Sequence, residues 1–242
     1  MTVGKPARLL FFFALPLMFS NMFQQLYTVV DTAIVGRGVG MDALAALGTV
    51  DWLSWMVLGI AQGFTAGFSV RMSQKFGEGD FPGLRRVIGL SARLTVFITL
   101  LTAVLSQVAL PGFLYLLRVP AELSPMATLY VRILFAGTPC MMFFNFTAST
   151  LRAVGNSKTP LFAMITASVL NIALDALTVF VFDWGIAGAA GATVCAQAVA
   201  GGICAYRIAK TPHLRFHLSD MARDGAMAKS LMGLGAPLAI QN

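Results

Sequence analysis

Charge is what this chain has least of. Asp, Glu, Lys and Arg together make up 11% of its 242 residues, against about 25% in an ordinary soluble domain. Hydrophobic residues make up 57%. That mixture cannot cover a water-exposed globule, which excludes a soluble domain and leaves a membrane protein. Cysteine is scarce too. Cys140, Cys195 and Cys204 all fall in apolar stretches without metal-ligand spacing, so they are expected as buried small apolar groups, with no disulfide. The only histidines, His213 and His217, stand four apart in a polar segment with no third ligand, which speaks for a solvated interfacial face over a metal site. The alternation of a barrel strand is absent, so the backbone has to satisfy itself in helices.

What is present is a series of long oily runs, at roughly 9–35, 43–74, 87–110, 124–150, 159–182 and 186–208, each able to cross about 30 Å of hydrocarbon as a helix. The expected fold class is an all-α membrane protein, a bundle of six transmembrane helices in a lipid bilayer. With the N-terminus placed in the cytoplasm, only Arg37, Arg118 and Arg132 of the 17 Lys and Arg fall outside. This positive-inside bias predicts an N-in, C-in arrangement. The same basic residues are dispersed over short loops, so the net charge of +7 reports topology and no nucleic-acid partner is expected. The first run is too long for a signal peptide, and the small-x-small site at Ala43-Leu44-Ala45 lies past it.

Turn residues punctuate the runs in "KFGEGDFPG", "LPGFLYLLRVPAELSP", "RAVGNSKTP" and "FDWGIAG". They divide the chain into a six-helix lobe at 1–210, a cytoplasmic linker with an amphipathic helix at 211–229, and the start of a seventh span at 230–242. "ALPLMFSN" (14–21) and "GAPLAIQN" (235–242) share a Pro, the Leu after it and an Asn five residues past it. Six spans return the chain to its starting side, so a second copy would insert the same way round. The expectation is the first half of a twelve-span protein.

With acids so few, one inside an oily run is informative. Pro16, Ser20, Gln24, Tyr27 and Asp31 follow steps of four, four, three and four, which align them on one helical stripe. Asn21, Gln25, Thr28 and Thr32 form the stripe beside it. An ionised Asp near mid-membrane costs roughly 3 kcal/mol or more, so this sector has to face protein or water. Asn171 and Asp175, with Ser168 and Thr178, repeat the pattern in the fifth run, and Thr193 and Gln197 do so in the sixth. If these faces converge, two carboxylates, an amide and a hydroxyl share one dry pocket. Such a set holds either a proton or a hard cation such as Na⁺, and spacing does not separate the two. Interhelical glue is the competing reading for the amides and hydroxyls. Pro16 removes the hydrogen bond to the Phe12 carbonyl and supplies a bend. Gly59, Gly63 and Gly67, and Gly185, Gly188 and Gly191, are spaced for close helix contact. The Thr95, Thr99, Thr102, Ser106 stripe reads as packing or cavity lining, and Met141, Met142, Phe143 and Phe144 as core or as walls for apolar cations. Gly77-Glu78-Gly79-Asp80 matches the G-x-G-D of intramembrane aspartyl proteases, but it sits in a polar loop and no Tyr-Asp accompanies it, so no enzyme is expected.

"ALPLMFSNMFQQLYTVVDTAIVGRGVGMDALAALG", "LRAVGNSKTP" and "NIALDALTVFVFDWGIAGAAGATVCAQ" resemble the N-terminal lobe of multidrug and toxic compound extrusion (MATE) transporters, particularly the DinF-like prokaryotic branch. The resemblance implies one lobe of a twelve-helix antiporter of the cell inner membrane, exporting small organic cations in exchange for H⁺ or Na⁺ by alternating access, with no other cofactor. Position by position, it implies a cation site at Asp31, Asn171, Asp175 and Thr193. Gln24, read from the stripe, joins Tyr27 and Tyr130, which the resemblance places in the substrate cavity, and Pro16 becomes the hinge. The chain departs from the family in length, which implies a missing C-terminal lobe or a second copy as partner. Two alternatives stand beside this reading: a flippase for lipid-linked oligosaccharides in the related superfamily, and a non-transporting fragment.

Overall fold

The computed structural model describes residues 6–215 and 224–241, with side chains from residue 11 onward. Its helices are α1 (Pro6–Gly38), α2 (Met41–Gly77), α3 (Phe81–Leu116), α4 (Ser124–Ala136), α5 (Thr138–Ala153), α6 (Lys158–Ala176), α7 (Gly185–Lys210) and α8 (Gly225–Gln241), with a π turn at Leu177–Val181 extending α6. No strand occurs among the described residues. Taking α4 with α5 as one rod bent by 45°, and α6 with its π turn as another, six rods cover the six expected runs. Among the described residues, four helices qualify as spans by length and composition, or five with the bent rod. α8 starts at Gly225, ahead of the expected boundary at residue 230. The amphipathic helix expected in the linker falls largely on 216–223, outside the described residues, as does His217.

Local chemistry sets the boundaries. Asp80 accepts the Gly83 N–H at 2.9 Å and Pro82 occupies the first turn of α3, an N-cap followed by a proline that donates nothing there. The Lys75 ammonium lies 3.0 Å from the same carboxylate. The Gly83 N–H, and then Lys75, hold the Asp80 carboxyl below the usual range. The G-E-G-D loop is thus a helix start. The bend between α4 and α5 follows from Pro139, which has no N–H to offer the Phe135 carbonyl. A Cβ on Gly137 would strike the Val194 side chain of α7, so glycine at the bend lets α7 approach. Gly40, at φ 119°, makes the turn from α1 to α2.

Gly63 and Gly67 of α2 lie against the backbone of Ala239 and Gly235 of α8, where no side chain fits. Gly188 packs against the Thr178 side chain, whereas a Cβ on Gly191 would meet nothing within 4 Å. Gly185 serves a turn, at φ 55°. For these two the expected close helix contact is corrected. Cys204 is buried, Cys140 half-buried and Cys195 exposed; a small apolar thiol fits an oily environment as well as a core, which corrects the expectation of three buried cysteines.

Two apolar clusters fill the bundle. One surrounds Phe68, Met72, Leu84, Leu151 and Leu231; the other surrounds Val35, Val50, Leu110 and Phe135. The first lies toward the end where Lys75, Arg85, Arg86, Arg152, Lys158, Lys210 and Arg215 gather, hereafter the basic end. There the His213 ring stacks on Phe81 at 4.2 Å between centroids. The rods' outer faces carry exposed apolar side chains, among them Phe97, Val108, Phe162 and Val169. A belt of that extent belongs in hydrocarbon.

Candidate functional site

Between the two apolar clusters a polar cleft of about 490 Å³ opens along α1. α1 contributes Ser20, Gln24, Tyr27 and Asp31; α2 contributes Asp51, Ser54 and Gln62; α4 contributes Tyr130; α5 contributes Asn145 and Arg152; α7 contributes Thr193 and Gln197. The stripe on α1 explains why this helix turns inward. Its i, i+4 repeat puts Ser20, Gln24 and Asp31 on one side, against α6 and α7. The adjoining Asn21, Gln25 and Thr28 also line the cleft, on its exposed side. The Thr28 and Thr32 hydroxyls donate back to the Gln24 and Thr28 carbonyls at 2.9 and 2.8 Å, so these two need no outside partner.

Asp175 and Asn171 lie behind the cleft wall, fully buried on α6. Asp31 is 9% exposed. The Asp31 and Asp175 carboxyl groups lie close enough to interact. The Asn171 amide nitrogen donates to the Thr193 hydroxyl at 3.4 Å, which turns the amide oxygen free. Helices from distant parts of the chain thus bring Asp31, Asn171, Asp175 and Thr193 to one place. Tyr27 and Tyr130 border it: the Tyr27 hydroxyl reaches Gln197, Gln24 and Thr28, and Tyr130 lies in the field of Asp31, Asp51 and Asp175. Pro16 is buried on the same face of α1 but does not line the cleft, and α1 runs through it without a break.

The arrangement is unbalanced in one direction. Asp31 Oδ1, Asp175 Oδ1 and Oδ2, Asn171 Oδ1 and Gln197 Oε1 are all buried with no hydrogen-bond donor. Ser20 Oγ, lower in the cleft, is unpartnered as well. Buried polar atoms are normally paired, and each one left over costs about 1–3 kcal/mol. Five acceptors with no donor among them call for positive charge. No cluster of three or more His, Cys, Asp or Glu occurs among the described residues. The set here is two carboxylates with amide and hydroxyl oxygens, chemistry suited to a proton or a hard cation and not to a transition metal.

The π turn begins two residues after Asp175, at Leu177. Such turns widen a helix by one residue and recur at functional sites. Here a Cβ on Gly38 of α1 would strike Val179, and one on Gly188 of α7 would strike Thr178, so glycines clamp the turn from both sides. Three features escaped the sequence reading. Asp51 stands in an oily run exactly as Asp31 does, and Asp51, Ser54, Leu58 and Gln62 share a helical face; the criterion that found Asp31 finds this acid too. Arg152, counted as a loop cation, lines the cleft floor, with one hydrogen bond from its guanidinium to the Ser149 hydroxyl at 3.2 Å. The π turn itself has no sequence signal.

The family model described as MatE matches residues 16–177. Among similar proteins is the probable multidrug resistance protein YpnP of Bacillus subtilis, 30% identical over 246 residues, covering 99% of this chain and 54% of that protein. Another is the probable multidrug resistance protein NorM of Thermotoga maritima, 27% identical, covering 95% of this chain and 50% of that one. The chain spans about half the length of the relatives it matches. An outward-facing structure of a multidrug resistance MATE family transporter superposes with a TM-score of 0.91 at 25% identity, over 98% of this chain and 53% of the other. An inward-facing structure superposes with a TM-score of 0.82 at 25% identity, over 94% and 53%.

Proposed function

The chain belongs to the MatE family, and on that premise we propose that it is the ion-coupling half of a multidrug efflux antiporter exchanging H⁺ or Na⁺ for organic, often cationic, compounds. The observation that carries this reading is the excess of buried acceptors around Asp31 and Asp175. A proton or a sodium ion entering there neutralises the pair and satisfies oxygens that the fold leaves bare. The empty pair and the loaded pair then favour different packings of α1 against α6 and α7, and that difference in affinity drives alternating access. Pro16 is the point at which α1 yields, because proline has no N–H to give the preceding turn and its ring crowds that turn. Relatives solved facing outward and inward, and others described as bent and straight, support a moving lobe. The second half of the cavity comes from a C-terminal lobe or a second copy, and the N-terminus lies in the cytoplasm of an inner membrane, as the basic end implies.

The flippase alternative asks for a strongly cationic cavity to hold pyrophosphate. Among the described residues, the cleft instead sets Arg152 alone against Asp31 and Asp51, which favours cations.

The test is efflux of a fluorescent cation from proteoliposomes of the full-length gene product, under an H⁺ or a Na⁺ gradient applied separately. Asp31→Asn and Asp175→Asn are each expected to reduce gradient-driven efflux by about tenfold or more, and the gradient that drives the wild type names the ion. Undiminished coupled efflux in both variants would remove the pair from the mechanism.

A further inference from the structure

A second cavity, of about 540 Å³, lies between α3, α5 and α7, away from the cleft. Its walls are oily, with Phe143, Phe146 and Ile208 among them. It opens on the membrane-facing side, where Phe143 is 44% exposed, and at its mouth toward the basic end stands Arg215. No acid lines it among the described residues, and its oily walls offer little to a coupling ion or a cationic drug.

Two details argue for a specific occupant. Thr95 and Thr99, one turn apart on α3, line the groove and are more than nine-tenths buried. Their hydroxyls have no partner. Ser20, Ser91 and Thr138 are unpartnered as well, but most threonines of the bundle are not: Thr28, Thr32, Thr128, Thr147, Thr166 and Thr178 all donate to a carbonyl four residues back. A buried hydroxyl left unpaired costs about 1–3 kcal/mol, so the two are poised to donate to acceptors the protein does not supply. The second detail is Arg215, whose guanidinium forms no hydrogen bond or ion pair with a described residue and is exposed. A groove open to hydrocarbon is filled by whatever surrounds it. The ligand that matches an oily slot, two hydroxyl donors and a cation at the interfacial mouth has an acyl chain, ester carbonyls and a phosphate.

We propose that the α3–α5–α7 groove binds one phospholipid from the leaflet at the basic end, its acyl chain along Phe143 and Phe146, its ester carbonyls on Thr95 and Thr99, and its phosphate on Arg215. The site is independent of the ion pair, so it stands or falls apart from the antiport reading. Its occupant ties α7 to α3 and α5 on the flank opposite the cleft.

Native mass spectrometry of the detergent-purified protein, delipidated and then titrated with phosphatidylglycerol or with diacylglycerol of the same chains, reads the site directly. The wild type is expected to retain one phosphatidylglycerol above the background of weakly held lipid, and diacylglycerol distinctly less. Arg215→Gln removes an exposed charge without touching the core and is expected to weaken phosphatidylglycerol retention about fivefold, leaving diacylglycerol unchanged. The isosteric pair Thr95→Val and Thr99→Val is expected to weaken both lipids about threefold while the melting temperature holds or rises. Equal retention of the two lipids by the wild type, or wild-type retention in both variants, would overturn the proposal and leave only non-specific lipid at the surface.

Discussion

Two cavities of similar size, about 490 and 540 Å³, flank α5, and they differ in the balance of hydrogen-bonding groups left unpaired at their walls. In and behind the cleft along α1 the excess is of buried acceptors, at Asp31, Asn171, Asp175 and Gln197, beside one unpaired hydroxyl at Ser20. The groove on the other side has hydroxyls free to donate, at Thr95 and Thr99. α5 divides its own side chains between them: Met141, Phe144 and Asn145 face the cleft, and Met142, Phe143 and Phe146 face the groove. Volume alone therefore says little about what a cavity in a membrane bundle holds. The sign of its unpaired groups says more, since one side attracts positive charge and the other attracts ester and phosphate oxygens.

Removing the excess on one side breaks the contrast. Asp175→Asn exchanges one oxygen of a fully buried carboxylate for a donor among acceptors, so the protein is expected to become more stable by about 1–3 kcal/mol even as coupled efflux fails. Thermal unfolding followed by tryptophan fluorescence in detergent measures this; a lower melting temperature would mean that the acceptors are already satisfied. A wall of the groove can be moved next. A Cβ on Gly201 of α7 would press on the Phe143 ring, so Gly201→Ala is expected to cost about 1–2 kcal/mol from overpacking and to narrow the groove while leaving the cleft alone. Weakened phospholipid retention with preserved ion-driven efflux would sharpen the comparison, and loss of both would erase it. The smallest effect belongs to the rim. Asp51 is exposed at the cleft mouth, so Asp51→Asn is expected to change stability by less than about 0.5 kcal/mol and to weaken binding of a fluorescent cation about twofold.

Much of the cleft was legible from residue order. Asp31 and Asp175 stood out because a charge in an oily run is costly enough to need a reason, and the four-residue steps of α1 fixed which neighbours share its face. The same rule reached Asp51 only in hindsight, since its stripe lacks amides close by. Arg152 was hidden by its position beside the "GNSK" turn, where a cation is ordinarily a loop residue. The groove was half legible: the Thr95, Thr99, Thr102, Ser106 stripe announced a lined surface, while the helices that complete it, α5 and α7, left no mark on α3.

Order along the chain determined the class of molecule, the rods, the asymmetry of basic residues and the polar face of α1, because each follows from helical periodicity and from the cost of placing charge in hydrocarbon. Only the tertiary structure decided that α1, α6 and α7 meet so that their acids face one another, that Pro139 and Gly137 bend a rod to admit Val194, and that a π turn held by Gly38 and Gly188 follows Asp175. Those outcomes depend on which helix faces oppose across the bundle, and side-chain fit between segments far apart in sequence is invisible until the chain has packed.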